Sequence, residues 1–113
     1  MSDSAVEEIT VEEAIARTQA GVLLVDVREP DEWEAGHAVG AVSIPMSQLG
    51  ERMSELPQED EFLVICHSGA RSLRVATALA TSGYSPVNVI GGTVAWQSAS
   101  GAIVADGPAP SRA

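Results

Sequence analysis

The chain has no lysine: its six bases are all arginines, Arg17, Arg28, Arg52, Arg71, Arg74 and Arg112, set against 16 acids for a net charge of −10. So acidic a chain excludes binding to nucleic acid or anionic lipid through its overall field. Without lysine, and without a Gly-x4-Gly-Lys-Ser/Thr run, a phosphate-cradling nucleotide loop is excluded as well. Aromatic residues make up only 4% of the chain. The core must therefore be aliphatic, as in parallel sheets buried on both faces.

Cysteine is equally scarce. Cys66 stands alone, so no intrachain disulfide can form. Together with the two histidines, His37 and His67, it cannot supply the four ligands of a structural zinc site, and no metal is expected. No apolar run approaches the roughly 20 residues that span a bilayer, so no membrane partner is expected. The N-terminal stretch 1–8 is acidic and has no apolar segment of the secretory kind. With the lone thiol, this predicts a reducing, cytoplasmic setting.

What is present is unevenly placed. Residues 1–61 hold 15 of the acids and three arginines, whereas residues 62–113 hold one acid, Asp106, and three arginines. The half that carries the cysteine is slightly basic, which suits a small anion bound locally.

The length of 113 residues fits one domain, here 1–105, followed by a Pro-, Ala- and Ser-rich segment, 106–113, that reads as a mobile tail. Thr10-Val11-Glu12-Glu13 has the form of a capping box, and helical spacing continues to Gly21. The short apolar runs Val22–Val27, Ala41–Ile44, Glu61–Cys66 and Pro86–Ile90 read as strands. Helices are predicted over Pro30–Ala35, 47–55, Arg71–Ser82 and Thr93–Ala99. Alternating strands and helices predict a three-layer α/β/α fold around a central, mostly parallel sheet of about five strands. In such sheets, ligands sit outside the carboxyl ends of the strands.

That is where Cys66 falls. A buried strand ends there, and a helix begins within about five residues. The residues between are small: Ser68, Gly69 and Ala70. A tight curl of this kind turns successive backbone N–H groups inward and makes an anion-binding nest. The helix N-terminus adds unpaired N–H groups and the positive end of its dipole. Arg71 adds a bidentate donor fork. A thiol in such surroundings is expected to ionise below its ordinary range, and the thiolate is the nucleophile. A buried cysteine closing an apolar strand is the competing interpretation. The small residues and the arginine at the helix entry argue against it.

Four segments, in order, resemble the rhodanese family. They are Asp26-Val27-Arg28, the stretch Trp33 to Pro45 containing Gly36-His37 and Gly40-Ala41, the loop Cys66 to Ser72, and Gly91-Gly92-Thr93-Val94-Ala95-Trp96. The resemblance runs from about Ile9 to Val104. It implies the rhodanese-like fold and a thiosulfate sulfurtransferase that needs no cofactor. Cys66 would carry a persulfide, bound by His67, Ser68, Gly69, Ala70, Arg71 and Ser72. Its partners would be a small anionic sulfur donor and an acceptor such as cyanide, a thiol or a protein. The arginine lies at Cys-x4-Arg, which resembles sulfurtransferases; related phosphatases use Cys-x5-Arg.

Other residues carry weaker signals. Arg74, one turn further on, is a candidate for the pocket rim. Asp26, Arg28 and His37 match the family pattern and read as structural. Two other classes compete with the enzyme: a non-catalytic or regulatory binding module of the same fold, and an arsenate reductase or phosphatase-like cysteine enzyme.

Overall fold

A computed structural model describes residues 6–99 and 101–105. Segment 106–113, expected from composition to be a mobile tail, lies outside these residues.

Five strands form one fully parallel sheet: β1 (Glu7–Ile9), β2 (Leu24–Asp26), β4 (Val42–Ser43), β5 (Phe62–Ile65) and β6 (Pro86–Val89). Their order is β1-β6-β5-β2-β4, which puts β5 at the centre. Helix α1 (Val11–Gln19) carries the chain from β1 to β2, across the sheet in one direction. Helix α4 (Ala70–Thr81) carries it from β5 to β6, in the opposite direction. Parallel crossovers are right-handed almost without exception, so opposite directions require opposite faces.

The core follows that division. One apolar cluster joins Leu24, Leu63, Ile65, Val87 and Val89 to Val11 and Ala14 of α1 and to Trp96 of α5 (Gly92–Ser98). The other joins Val25, Phe62, Val64 and Cys66 to Val75, Ala76 and Leu79 of α4. The twofold alternation along β5 sends Leu63 and Ile65 one way and Phe62, Val64 and Cys66 the other. This alternation aims the Cys66 side chain at the first turn of α4.

Sequence expectation and structure differ in a few places. The helix expected over 47–55 is a 3-10 turn at Met46–Gln48, a single α turn (α3, Leu49–Arg52) and a second 3-10 turn at Met53–Glu55. Gly50 and Ser54 are poor helix formers, and Met46, Leu49 and Met53 already seal the sheet edge in this shorter form. The strand expected over Val22–Val27 narrows to Leu24–Asp26. Three strands carried no apolar run long enough to announce them. They are β1 at the sheet edge and an antiparallel pair, β3 (His37–Ala38) with β7 (Ile103–Val104). No helix among the described residues is long and apolar enough to cross a membrane.

Candidate functional site

The site is a turn of chain between the central strand and α4. Cys66 follows β5 directly and is 1% exposed. Its Sγ accepts the backbone N–H of Gly69 at 3.1 Å and that of Ser72 at 3.3 Å. Gly69 sits at φ +105°, a left-handed conformation that only glycine adopts without strain. This residue reverses the chain so that N–H groups on both sides of it face the sulfur.

The carbonyls of the same turn point outward and are held there. Helix α5 (first turn Gly92 to Ala95) donates Thr93 N–H to the Cys66 carbonyl at 2.8 Å and Val94 N–H to the His67 carbonyl at 3.1 Å. Gly92 makes this approach possible: a Cβ there would stand 2.3 Å from the Cys66 carbonyl oxygen. Gly92, the first residue of α5, thus serves the cysteine turn from a distant segment. Fixing the carbonyls outward fixes the N–H groups inward.

These contacts act on the thiol in opposing directions. Burial pushes the Cys66 thiol up. The Ser72 hydroxyl and the N–H groups of Ser72, Gly69 and Ser68 more than offset this, and the thiol ionises below its ordinary value. Hydrogen bonding to the charged form thus outweighs desolvation.

Arg71 does not present a free guanidinium to the sulfur. Its Nη1 and Nη2 donate to the two carboxylate oxygens of Glu32 at 2.7 and 2.8 Å. Glu32 lies on α2 (Pro30–Ala35), beyond the end of β2. The Arg71 hydrogen bonds, working against partial desolvation, hold the Glu32 carboxyl down at about 2. Glu32 and the Cys66 thiolate together raise the pKa of Arg71. The arginine therefore braces the turn against α2, and its charge is largely matched before any ligand arrives.

The remaining candidates fall around this centre. His67 and Ser68 are exposed on the turn and Ala70 is exposed at the start of α4. Arg74 is exposed and, among the described residues, has neither an ion pair nor a hydrogen-bond partner. His67 borders a cleft of about 220 Å³ that is also lined by Arg28, Glu32, Thr93, Val94 and Gln97. Asp26 and Arg28 form a buried pair at 2.8 Å, and Arg28 also donates to the Gly36 carbonyl at 2.7 Å. His37 is buried, stacks on Trp33 with ring centroids 3.5 Å apart, and places Nδ1 2.9 Å from the Trp33 carbonyl. These three residues support the end of β2 and the start of β3.

Sequence reasoning did not single out Glu32 or Asn88. Asn88, on β6, is 1% exposed and takes the Ser72 hydroxyl on its Oδ1 at 2.5 Å. A polar residue inside the otherwise apolar Val87–Ile90 run was the available signal. Glu32 had none, because its partner is distant in sequence.

The rhodanese-like domain family matches residues 10–99. Over 76 residues the chain is 42% identical to a sulfurtransferase of Allochromatium vinosum, covering 66% of this chain and 71% of that one. It is 37% identical over 90 residues to thiosulfate sulfurtransferase 16 of Arabidopsis thaliana, covering 68% of this chain and 75% of the other. The match spans a smaller share of some relatives, 40% of Bacillus subtilis YrkF among them. Among solved structures, a rhodanese-related protein of Thermoplasma volcanium superposes with a TM-score of 0.80 at 28% identity, covering 88% of this chain and 99% of that one.

Proposed function

This chain belongs to the rhodanese family, and on that premise we propose that it is a cytoplasmic thiosulfate-type sulfurtransferase with Cys66 as its sulfur-carrying nucleophile. The observation that carries the reading is the Cys66 sulfur itself, which receives the N–H groups of Gly69 and Ser72 at the head of α4. That cradle stabilises a thiolate, and it would equally stabilise the terminal sulfur of a persulfide anion.

The reaction is a double displacement. The Cys66 thiolate attacks the outer sulfur of thiosulfate, and a new S–S bond forms as the donor's S–S bond breaks. Sulfite leaves with the bonding electron pair. The acceptor, such as cyanide or a thiolate, then attacks the outer sulfur of the Cys66 persulfide. The sulfur departs with the acceptor, and the Cys66 thiolate is regenerated. No proton or electron has to be supplied from outside, so the chemistry calls for no cofactor.

The phosphatase-like alternative is less well supported. Only four residues separate Cys66 from Arg71, and the Arg71 fork is occupied by Glu32. A phosphoryl group needs that fork free.

Mass measurement after incubation with thiosulfate tests the proposal. The expected result is a gain of one sulfur atom on the intact protein, removed by cyanide and absent from Cys66→Ala. No adduct, or equal turnover in Cys66→Ala, refutes it. A parallel screen with mercaptopyruvate, arsenate and a phosphate ester identifies either competing enzyme class. A protein inert to all of them would be the binding module.

A further inference from the structure

Two side chains beside the cysteine turn are more than nine-tenths buried and still have hydrogen-bonding capacity to spare. Arg28 is 5% exposed. Its Nε and Nη2 donate to Asp26, and Nη2 also donates to the Gly36 carbonyl. Its Nη1 has no partner among the described residues. Thr93, in the first turn of α5, is 8% exposed. Its backbone N–H holds the Cys66 carbonyl, and its hydroxyl has no partner among the described residues.

Buried polar atoms are nearly always bonded. Among the described residues, only Trp33 Nε1 is sealed from solvent without a partner. Arg28 Nη1 and Thr93 Oγ1 are therefore open to solvent, and both residues line the same cleft of about 220 Å³. Gln97, one turn beyond Thr93 on α5, adds an exposed amide to its wall. The acids nearby are already engaged: Asp26 holds Arg28, and Glu32 holds Arg71. What stays open is a guanidinium N–H that can only donate, beside a hydroxyl and an amide that can also donate. Such a set calls for an oxygen acceptor, and charge-assisted donation from arginine favours a carboxylate. Ala35, Val94 and Ile103 give the cleft an apolar side for a short aliphatic chain. The volume lies below that of pockets for drug-sized ligands, so the occupant is small.

The Cys66 side chain packs toward α4, whereas the cleft is walled by α2, α5 and β7, with His67 at its border. Thiosulfate carries its reactive sulfur one bond from its sulfonate end and is too compact to use both places. A molecule that uses both needs a chain between its sulfur and its anionic group.

We propose that this cleft seats the sulfur acceptor, and that the acceptor is a small thiol whose carboxylate is held by Arg28 Nη1, Thr93 Oγ1 and the Gln97 amide. The inference rests on the sulfurtransferase reading and names the acceptor class for it. The acceptor thiol loses its proton to solvent, and its thiolate attacks the outer sulfur of the Cys66 persulfide. A new S–S bond forms, and the electron pair of the old one returns to Cys66 Sγ.

Two acceptors of one shape test this: 3-mercaptopropionate and its neutral amide, 3-mercaptopropionamide, each offered to thiosulfate-treated protein. The quantity read is the ratio of their kcat/KM values in wild type, Thr93→Val and Gln97→Leu. Both acceptors meet the same persulfide, so any change at the sulfur cancels in the ratio. Thr93→Val keeps the N–H that holds the Cys66 carbonyl. It is expected to lower the acid-to-amide ratio about fivefold to tenfold, as for a lost hydrogen bond to a charged group, and the exposed Gln97→Leu about threefold. A second measurement needs no turnover. Propionate, titrated into the untreated protein, should shift the Gln97 side-chain amide and Thr93 backbone resonances saturably, and more weakly in Thr93→Val.

A ratio unchanged in both variants overturns the proposal. So does a propionate titration that moves neither resonance. Saturable propionate binding in a protein that never takes up sulfur would sink the sulfurtransferase reading and leave the carboxylate site standing.

Discussion

Glu32 and Arg71 lie 39 residues apart in sequence and meet through two side-chain hydrogen bonds of 2.7 and 2.8 Å, one to each carboxylate oxygen. The pair ties α2 to the head of α4 across the mouth of the cysteine turn. It also decides what an incoming anion encounters. With Glu32 present, the fork is matched. Without Arg71, a bare carboxylate would border the same space.

Substitution on each side of the pair should therefore move donor binding in opposite directions. Arg71→Ala is expected to raise the KM for thiosulfate about tenfold, roughly 1.4 kcal/mol, because an unmatched carboxylate repels the dianion. Glu32→Gln is expected to lower KM by about two- to fivefold, with kcat changed less than twofold, because part of the fork becomes free. Steady-state kinetics at fixed ionic strength checks both. A KM that rises in Glu32→Gln would mean that the pair acts only as a brace.

The same pair predicts an acid limit. Glu32 ionises at about 2 in the folded protein, below its ordinary 4.5, because Arg71 hydrogen-bonds its charged form. A depressed carboxyl contributes stability that is complete above 4.5 and is lost as pH falls from there toward 2. The side chains are 33% and 31% exposed, so solvent screening holds the contribution to about 1 kcal/mol or less. Thermal melts of Glu32→Gln and wild type should differ at pH 7 and converge as the pH approaches 2. Curves that stay parallel down to that pH would show that the pair contributes nothing to folding.

How much of this was legible beforehand depended on sequence distance. Cys66, Gly69 and Ser72 lie within one turn, and a strand end followed by small residues and a helix start was enough to foresee their N–H cradle. The sheet was legible from the buried runs of β2, β5 and β6. By contrast, the charge at Arg71 was read without its counterion, because nothing local to Glu32 marks it as a partner. Asn88 and Glu8 meet over a separation of 80 residues, and only strand register brings them together. Strands β1, β3 and β7 were missed because each is only two or three residues long and lies in no apolar run of its own.

Two glycines separate backbone need from mere tolerance. Gly92 is at φ +59°, and a Cβ there would meet the Cys66 and His67 carbonyls at 2.3 and 2.4 Å. Gly92→Ala should cost on the order of 2–4 kcal/mol and turn the loop carbonyls, with their N–H groups, out of register. Gly50, in α3, has no atom near the site of its missing Cβ. Gly50→Ala should stabilise by about 0.5–1 kcal/mol at unchanged activity. Denaturant unfolding with parallel sulfur-transfer assays checks the pair. Full activity in Gly92→Ala would mean that the turn holds its shape without the close approach of α5.

The Asp26–Arg28 pair makes the sharpest demand on stability, because it is buried at 0% and 5% exposure. Asp26 Oδ1 also takes the Arg28 backbone N–H at 2.9 Å, so the carboxylate shapes the chain as it leaves β2. Arg28 then reaches the Gly36 carbonyl and lines the cleft beside His67. Removing one partner leaves an uncompensated buried charge, which costs about 3–5 kcal/mol. Asp26→Ala and Arg28→Ala should each unfold at markedly lower denaturant. Replacing both by apolar residues of similar volume should restore much of that loss, since a buried pair contributes little beyond its own desolvation. If the pair is purely structural, the restored double variant should also transfer sulfur with near-normal kcat. A stable double variant with a raised KM for thiosulfate would instead make Arg28 part of the donor's binding surface.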